Sequence, residues 1–290
     1  MTECPLCGGP SRPRYVATDR NWGVSEERFE YRLCQRCRAL FLANVPGDLG
    51  RYYPSGYYRA GPAPTPSPTE RAKLDLVLRH AARGHLIEVG PGSGSFAAQA
   101  VAAGFRVTVI DRDQDACRRL SQTLGVQAVC SDDPARALSE AGAAQVIALW
   151  HALEHLGHPW GVVDRAAAAV EPGGCLVIAT PNPDSLQLRL LGSRWAHLDA
   201  PRHRFLLPLP ALRDRAGRAG LTLVELELAD RTGRDWNAFG WQRALTRRGG
   251  PGPVASKLGS ALALALAPLE RHRTLGSTYT AMFRKQPGPR

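Results

Sequence analysis

Short apolar runs alternate with longer segments of mixed polarity from about residue 85 to the C-terminus. The segments between the runs include SFAAQAVAAG and QDACRRLSQTLG, which have the composition of helices closed by glycine. Strands that alternate with helices predict an α/β fold of the doubly wound type, with a mostly parallel seven-stranded sheet covered by helices on both faces. The predicted strands are HLIEVG, RVTVID, VQAVC, AQVIALW, GCLVIAT, LTLVELELA and STYTAMFRK.

The polarity pattern divides the chain into three parts. Residues 1–45 are polar and carry closely spaced cysteines. Residues 46–68 contain RYYPSGYYR and AGPAPTPSP, which predict an extended linker because proline does not continue a helix. Residues 69–290 carry the alternating elements, and Thr69 is the predicted N-cap of their first helix. Within this part, about residues 231–276 are too long for a hairpin connection and predict an inserted helical cap.

Composition narrows the class of protein. The chain has 290 residues and is 44% hydrophobic, which suffices for a large core, and no apolar run is long enough to span a bilayer. Since no secretory signal begins the sequence, we expect a cytoplasmic protein. The net charge of +11 would suit nucleic acid or an anionic membrane, but scattered arginines favour composition bias. The alanine-leucine run within 231–276 predicts a helix packed on the core, with contact to a membrane surface as the alternative.

Four cysteines near the start form two C-x2-C pairs. In a reducing cytoplasm such pairs bind metal more often than they form disulfides, and a redox pair would not need a second C-x-x-C. Four thiolates from two tight turns suit tetrahedral structural zinc. A module this small needs a metal to hold it together, so we expect zinc-dependent folding against the main domain. The predicted ligands are Cys4, Cys7, Cys34 and Cys37.

A glycine loop, EVGPGSG, follows the first predicted strand of the main domain and opens a helix. Its G-x-G-x-G spacing differs from the dinucleotide fingerprint, which would require glycine where the chain has Ser95, and no P-loop Lys-Ser/Thr follows. Asp111 ends the second strand about twenty residues after Gly90, which is the spacing of a carboxylate that accepts the ribose hydroxyls of a nucleoside. The combination predicts a nucleoside site whose ligand need not carry phosphate.

The sequence resembles class I S-adenosylmethionine-dependent methyltransferases in the glycine loop and Asp111. It also resembles them in two later stretches, ALWHALEHL after the fourth strand and EPGGCLVIATPN at the fifth. The resemblance covers roughly residues 70–230 and the terminal strand. It implies S-adenosylmethionine as the cofactor, with the glycine loop at the methionine portion, Asp111 at the ribose and Asp132 near the adenine. The implied cofactor-binding residues are Glu88, Gly90, Gly92, Gly94, Asp111, Asp132 and Trp150.

Methyl transfer from a sulfonium requires an aligned nucleophile, and a hydroxyl nucleophile also needs a base, for which histidine is suited. His203, in the loop HLDAPRHRFLLP, is the first candidate, and His151 is the second. His151 and His155 are four residues apart and could share a helical face. Glu154 and His155 also resemble the LEH element of ubiquinone-pathway O-methyltransferases. In that family an acidic residue occupies the position of His151, and these positions bind a divalent ion. Because this chain has a histidine at that position, the sequence argues against a second metal site in this protein.

The cysteine module ahead of the main domain resembles a bacterial subgroup of these methyltransferases that act in polysaccharide, glycolipid or natural-product pathways. The sequence therefore predicts methylation of a small molecule or carrier-linked sugar, with the module and its following tyrosines (52, 53, 57 and 58) shaping the substrate mouth. One alternative is an rRNA or tRNA methyltransferase whose zinc module binds RNA, although no aromatic-basic platform or NPPY-type element is present. Another is a non-catalytic binding protein, which the intact glycine loop and Asp111 disfavour.

Overall fold

The computed structural model of the chain describes residues 2–54, 67–228, 231–246, 252–271 and 275–287. Its strands are β1 (Ser11–Ala17), β2 (Phe29–Cys34), β3 (Leu40–Leu42), β4 (His85–Val89), β5 (Arg106–Asp111), β6 (Gln127–Cys130), β7 (Ala144–Trp150), β8 (Val170–Pro181), β9 (Phe205–Leu206), β10 (Leu221–Glu227) and β11 (Thr278–Lys285). Its helices are α1 (Pro68–Leu78), α2 (Ser95–Ala102), α3 (Gln114–Leu124), α4 (Pro134–Ala141), α5 (Pro159–Ala169), α6 (Leu186–Leu191), α7 (Leu209–Arg218), α8 (Arg231–Ala244) and α9 (Pro253–Arg271).

The larger sheet has the strand order β10-β11-β8-β7-β4-β5-β6 among the described residues. Strands β8, β7, β4, β5 and β6 are parallel, and β11 is antiparallel to both of its neighbours. The predicted mostly parallel seven-stranded sheet is therefore confirmed. The carboxyl ends of the parallel strands meet at one edge, where ligands bind in open α/β sheets.

The two faces of this sheet bury separate apolar cores. Ile87 of β4 and Ile147 of β7 belong to one cluster, while their chain neighbours Leu86 and Val146 belong to the other. Side chains alternate across a strand, so a sheet covered on both faces needs apolar residues at successive positions. This requirement explains why the predicted strands are continuous apolar runs.

The N-terminal strands form a second, antiparallel sheet in the order β1-β2-β3-β9. Strand β9 comes from the main domain and pairs with β3 through Leu40 opposite Leu206 and Phe41 opposite Phe205. A third apolar cluster fills the space beneath this sheet, and it joins residues 29–52 to Trp195 and Leu206. The cysteine-bearing segment thus shares both backbone pairing and a core with the loop that follows β8.

The entry into the main domain differs in detail from the prediction. The predicted N-cap, Thr69, is wrong, because Ser67 caps α1 by accepting a hydrogen bond from the Glu70 amide at 3.2 Å. Pro68 occupies the first turn, where a missing N–H costs nothing. Thr69 instead donates to Asp235 Oδ2 of α8 at 2.9 Å. Tyr57 and Tyr58, which are predicted to help shape the substrate mouth, lie outside the described residues. Most of the proline-rich stretch also lies outside them.

The predicted insertion contains α8 and α9, which pack against each other. Glycine at 259 allows close approach, since a Cβ there would collide with the backbone of Gln242. The outward face of α9 exposes apolar side chains, including Val254 and Leu264 at 71% and 79%. Within the described residues, no helix combines the length and the apolar character needed to cross a bilayer.

Candidate active site

A cavity of about 940 Å³ opens at the carboxyl edge of the larger sheet. One end is walled by residues that the sequence assigns to the cofactor, namely Gly90, Gly92, Asp111, Asp132 and Trp150. The other end is walled by His151, Glu154, His155, His197, Asp199, His203 and Arg204. The N-terminal segment and α8 supply the remaining walls, through Asn21, Trp22, Leu49, Tyr53, Trp236, Phe239 and Arg243. The two predicted sets of residues therefore face one continuous space.

The three glycines of the loop between β4 and α2 have different roles, although all have positive φ angles. A Cβ at Gly94 would collide with the Leu120 side chain, and one at Gly90 would lie 2.8 Å from Ala152 Cβ. A Cβ at Gly92 would meet no atom within 4 Å. Packing therefore requires glycine at 90 and 94, whereas Gly92 leaves room at the cavity wall into which a ligand can fit.

Asp111 lies at the end of β5 and lines the cavity. Its Oδ1 accepts a hydrogen bond from the Asp113 amide at 2.9 Å, which orients the carboxyl group. The side chain is largely buried, and this desolvation raises the pKa of Asp111. A buried carboxylate at this position gains by accepting hydrogen bonds from a ligand. Asp111 can accept hydrogen bonds from a ribose, and the open space beside Gly92 can hold part of a nucleoside ligand against the backbone.

The remaining predicted cofactor residues occupy different depths. Asp132 is highly exposed at the rim, with its Oδ1 3.5 Å from Arg112 Nε. Trp150, at the end of β7, packs edge-on against Phe96 with ring centroids 5.2 Å apart. Glu88 lies beneath the loop in β4, fully buried, and burial raises its pKa to about 8. Asp132 and Trp150 thus flank the cavity, whereas Glu88 supports the loop from below.

His151 follows β7 with φ at +54°, a left-handed conformation that residues with side chains rarely adopt. Its amide donates to the Ala179 carbonyl at 2.9 Å, and a short 3-10 turn, Leu153–His155, comes next. The predicted helical face shared by His151 and His155 is therefore wrong. The tight turn instead brings His151 Nδ1 to 3.5 Å from Glu154 Oε1. Strained residues of this kind concentrate at functional sites.

Glu154 is fully buried and accepts a hydrogen bond from Thr180 Oγ1 at 3.1 Å. Burial alone would raise its pKa, but His151 and the other nearby histidines outweigh burial and lower the pKa to about 2. An ionised carboxylate beneath the cavity floor attracts positive charge that develops on an adjacent imidazole during proton transfer. The site can therefore stabilise a histidine that has accepted a proton.

His203 lies against His155, with ring centroids 4.6 Å apart in an edge-to-face arrangement. Its Nδ1 is 2.8 Å from the His197 carbonyl, which can only accept, so in the neutral ring Nδ1 carries the proton. Nε2 is then the basic nitrogen, and it lies 4.0 Å from Asp199 Oδ2.

Burial lowers the pKa of His155 to about 4 and that of His197 to about 3. Those two rings are therefore neutral at physiological pH.

Two side-chain groups have metal-compatible spacing among the described residues. One ligand atom from each of Glu154, His155 and His203 lies within 4.8 Å of the other two. The expectation that no second metal binds here stays a prediction. The four N-terminal cysteines form the other group, with the same spacing limit.

The cysteine geometry suits zinc. Cys4 Sγ and Cys37 Sγ are 3.8 Å apart, and Cys7 Sγ and Cys34 Sγ are 3.5 Å apart. A regular tetrahedron with Zn–S bonds of about 2.3 Å has sulfur–sulfur edges of about 3.8 Å. The amides of Arg36 and Cys37 also point at Cys34 Sγ, at 3.3 and 3.4 Å, which stabilises thiolate charge.

The loop that carries His203 is held by the N-terminal segment. Arg202 is fully buried, with Nη2 2.5 Å from Asp19 Oδ1 and 2.8 Å from Asp199 Oδ1. The Tyr31 hydroxyl contacts the carbonyls of Leu198 and His203 at 2.9 and 2.7 Å. Sequence reasoning missed Asp19, Tyr31 and Arg202, because no local pattern links residues so far apart in the chain.

Helix α8 covers the histidine end of the cavity with aromatic side chains. The Trp236 ring lies 5.1 Å from His151, 5.3 Å from His197 and 5.8 Å from Phe239, measured between ring centroids. The sequence predicts a cap in this region but gives no signal that Trp236 would face His151. Such a wall excludes water and offers flat apolar faces to a ligand.

Comparisons with known proteins agree with this arrangement. A family model described as a methyltransferase domain matches residues 66–226. No curated protein sequence matches the chain. Among solved structures, a putative sarcosine dimethylglycine methyltransferase from Galdieria sulphuraria is similar at 15% identity, over 75% of this chain and 84% of that chain, with a TM-score of 0.52. An S-adenosylmethionine-dependent methyltransferase from Archaeoglobus fulgidus is similar at 15% identity, over 75% and 92%, with a TM-score of 0.50.

An O-methyltransferase family protein from Burkholderia thailandensis is 21% identical over 76% of this chain, with a TM-score of 0.49. The present chain spans 57% of the length of that protein. At these identities the structural similarities show the fold alone.

Proposed function

The chain belongs to the class I S-adenosylmethionine-dependent methyltransferases, and on that premise we propose that it methylates a small molecule or a carrier-linked sugar. The observation that carries the proposal is the single cavity that joins the glycine loop and Asp111 to the histidine cluster. In such a cavity a methyl donor and an acceptor can meet without bulk water between them. When bound, S-adenosylmethionine supplies a methyl group already activated by its sulfonium.

The donor would be held at the carboxyl edge of β4 and β5. Gly92 would let the backbone approach the ligand, Gly90 lines the same wall, and Asp111 would accept hydrogen bonds from the ribose hydroxyls. Asp132 and Trp150 would flank the adenine end, while Glu88 would support the loop from below.

We assign the general base to His203, with His151 as the second candidate. The His197 carbonyl keeps the proton of the neutral ring on Nδ1, which leaves Nε2 free to accept a proton from an acceptor hydroxyl. Asp199, 4.0 Å from Nε2, and the ionised Glu154 would then stabilise the imidazolium. Arg202 would act as a positioning residue, because it fixes Asp199 and the loop.

The acceptor would be bound between the N-terminal segment and α8. Tyr53, Trp22 and Trp236 give this part of the wall aromatic faces, on which a sugar ring can pack. We propose that residues 1–45 form a zinc module with Cys4, Cys7, Cys34 and Cys37 as ligands, followed by a linker over 46–68 and a catalytic domain over 69–290. Reduced cysteines of this kind suit a cytoplasmic location.

Titration calorimetry with S-adenosylhomocysteine tests the cofactor assignment. Replacement of Asp111 by Ala should weaken binding by about 10- to 100-fold, since hydrogen bonds to a charged acceptor contribute about 1.5 to 3 kcal/mol each. The rim variant Asp132→Ala should change the affinity by less than about fivefold. Equal affinities of wild type and Asp111→Ala would contradict the site.

Incubation with methyl-labelled S-adenosylmethionine and fractionated cell extract tests the substrate class. We expect the label in a small-molecule or glycan pool, and we expect replacement of His203 by Gln to reduce labelling by about 100-fold. Label that is released by ribonuclease would favour the RNA methyltransferase alternative and overturn the proposal.

A further inference from the structure

Arg204 lies in the cavity wall beside the histidine cluster, and its backbone is fixed on both sides. Its amide donates to the Glu154 carbonyl at 2.8 Å, and its carbonyl accepts from the Leu42 amide at 2.9 Å. The residue therefore bridges the turn after β7 and strand β3. Its side chain lines the cavity together with Tyr53, Leu156 and Gly157.

The guanidinium of Arg204 has no carboxylate within 4.0 Å among the described residues, and its Nε is buried without an acceptor there. Arg202, two positions earlier, shows the opposite arrangement, since Asp19 and Asp199 neutralise it. Burial lowers the pKa of Arg204, which reflects the partial loss of water around this cation. An unpaired and partly desolvated charge is costly, and an arriving anion would relieve that cost.

The surroundings leave room for this cation at the cavity wall. A Cβ at Gly157 would lie 2.7 Å from Arg204 Nη1, so the absence of a side chain there is what allows the guanidinium to occupy its place. Glu154 and Asp199 at the acceptor end are acidic and would repel an anion, and the guanidinium of Arg243, another cation in this wall, already donates to the carbonyls of Arg20 and Asn21. An anionic group in this part of the cavity is therefore directed to Arg204.

We propose that Arg204 binds an anionic group of the acceptor substrate, either a phosphate or a carboxylate. The planar fork of a guanidinium matches the paired oxygens of both groups. This inference rests on the proposed methyltransferase function and narrows its substrate class to acidic small molecules, such as sugar phosphates or uronic acids. The anion would orient the acceptor in the same space as His203.

The test compares the full-length wild type with Arg204→Met and with Arg202→Met as the matched control. Calorimetry first measures S-adenosylhomocysteine binding, then glucose 1-phosphate, glucuronate and neutral glucose as probes. We expect at least one anionic probe to bind about tenfold more tightly than glucose, and Arg204→Met to lose this preference. The probe that is preferred distinguishes phosphate from carboxylate.

Thermal unfolding supplies a readout that needs no substrate. Removal of a cation that has no carboxylate partner among the described residues should leave the Tm of Arg204→Met unchanged or raised. Arg202→Met should unfold at a lower temperature, because two buried aspartates lose their cationic partner. The proposal is overturned if neither anion binds better than glucose, if Arg204→Met retains the preference, or if it weakens S-adenosylhomocysteine about tenfold. Failure of the wild type to bind S-adenosylhomocysteine would instead contradict the proposed function.

Discussion

Position 92 carries a glycine whose missing side chain would meet nothing within 4 Å, whereas the next loop glycine, Gly94, packs against Leu120. Both have positive φ angles, +56° and +82°. Backbone conformation therefore favours glycine at both places and does not distinguish their roles. We infer that Gly94 serves the fold and that Gly92 serves the ligand.

This difference predicts opposite outcomes for two alanine variants. Gly94→Ala should lower the unfolding free energy by about 2 to 4 kcal/mol, because left-handed strain and a collision with Leu120 add. Gly92→Ala should cost only about 1 kcal/mol but weaken S-adenosylhomocysteine by about tenfold or more. Gly125→Ala, at φ +64° with open space around it, is the control for strain and should leave affinity unchanged. Equal affinities of Gly92→Ala and Gly125→Ala would refute the assignment.

The buried Glu88 predicts a pH dependence of stability. Burial raises its pKa from the ordinary 4.5 to about 8 in the folded protein, so this carboxyl stays protonated where the unfolded chain is ionised. Its stabilising contribution is complete below about pH 4.5 and is lost, at about 1.4 kcal/mol per pH unit, as the pH rises to about 8. Glu88→Gln should lack this loss in urea unfolding measured from about pH 5 to about pH 9. Parallel pH profiles for the two proteins would contradict the protonated state.

At the scale of elements, β9 is the short strand that joins the cysteine module to the loop bearing His203. It continues the module sheet through β3, and Arg204 stands directly before it. Strand β2 ends at Cys34, and β3 begins shortly after Cys37 and pairs with β9. A metal ion bound by the cysteines would therefore help to fix the position of β9. Zinc bound at the proposed site is therefore expected to affect methyl transfer without contacting the cofactor.

Cys34→Ser tests that connection. The variant should lose bound zinc, measured by elemental analysis, because one of four thiolates is missing. Methyl transfer should fall by about tenfold or more, while S-adenosylhomocysteine affinity in the main domain should stay within about threefold. Cys130→Ser, at an exposed position outside the cluster, should change none of these quantities. Full turnover after metal stripping would show that the module does not shape the site.

At the scale of the whole molecule, the buried Asp19–Arg202–Asp199 group couples parts of the chain that are about 180 residues apart. All three side chains are almost completely removed from water. A buried ion pair adds little over an apolar replacement, but loss of one partner leaves an uncompensated charge. This group therefore specifies how the N-terminal segment sits on the loop that carries His203.

Asp19→Asn should lower the unfolding free energy by about 3 kcal/mol, since the buried guanidinium of Arg202 loses the carboxylate charge of Asp19. The turnover number should fall as well, because the His203 loop loses its anchor. The control Asp164→Asn removes the partner of Arg215 in a much more exposed pair, and it should cost less than about 1 kcal/mol. Similar costs for the two variants would contradict a special role of the buried group.

Much of the architecture follows from local sequence alone. The period of the apolar residues predicts the strands of the larger sheet, and the glycine loop, Asp111 and the cysteine pairs depend on spacings within one turn or one strand–helix unit. Local rules also have limits within this range, because Ser67 rather than Thr69 caps α1 and a left-handed His151 replaces the predicted helical face. The alternative positions for a cap or a tight turn have similar free energies, so contacts with neighbouring elements determine which one forms.

The acceptor side of the cavity was decided only by the tertiary structure. Asp19 reaches Arg202, Trp236 covers His151, and Arg204 remains without an acidic partner among the described residues because of where β3, β9 and α8 meet. Periodicity and spacing carry information about residues close in the chain, whereas these contacts join distant segments whose approach depends on packing of the whole molecule. The residues of the proposed donor site could therefore be predicted from the sequence, and those of the proposed acceptor site could not.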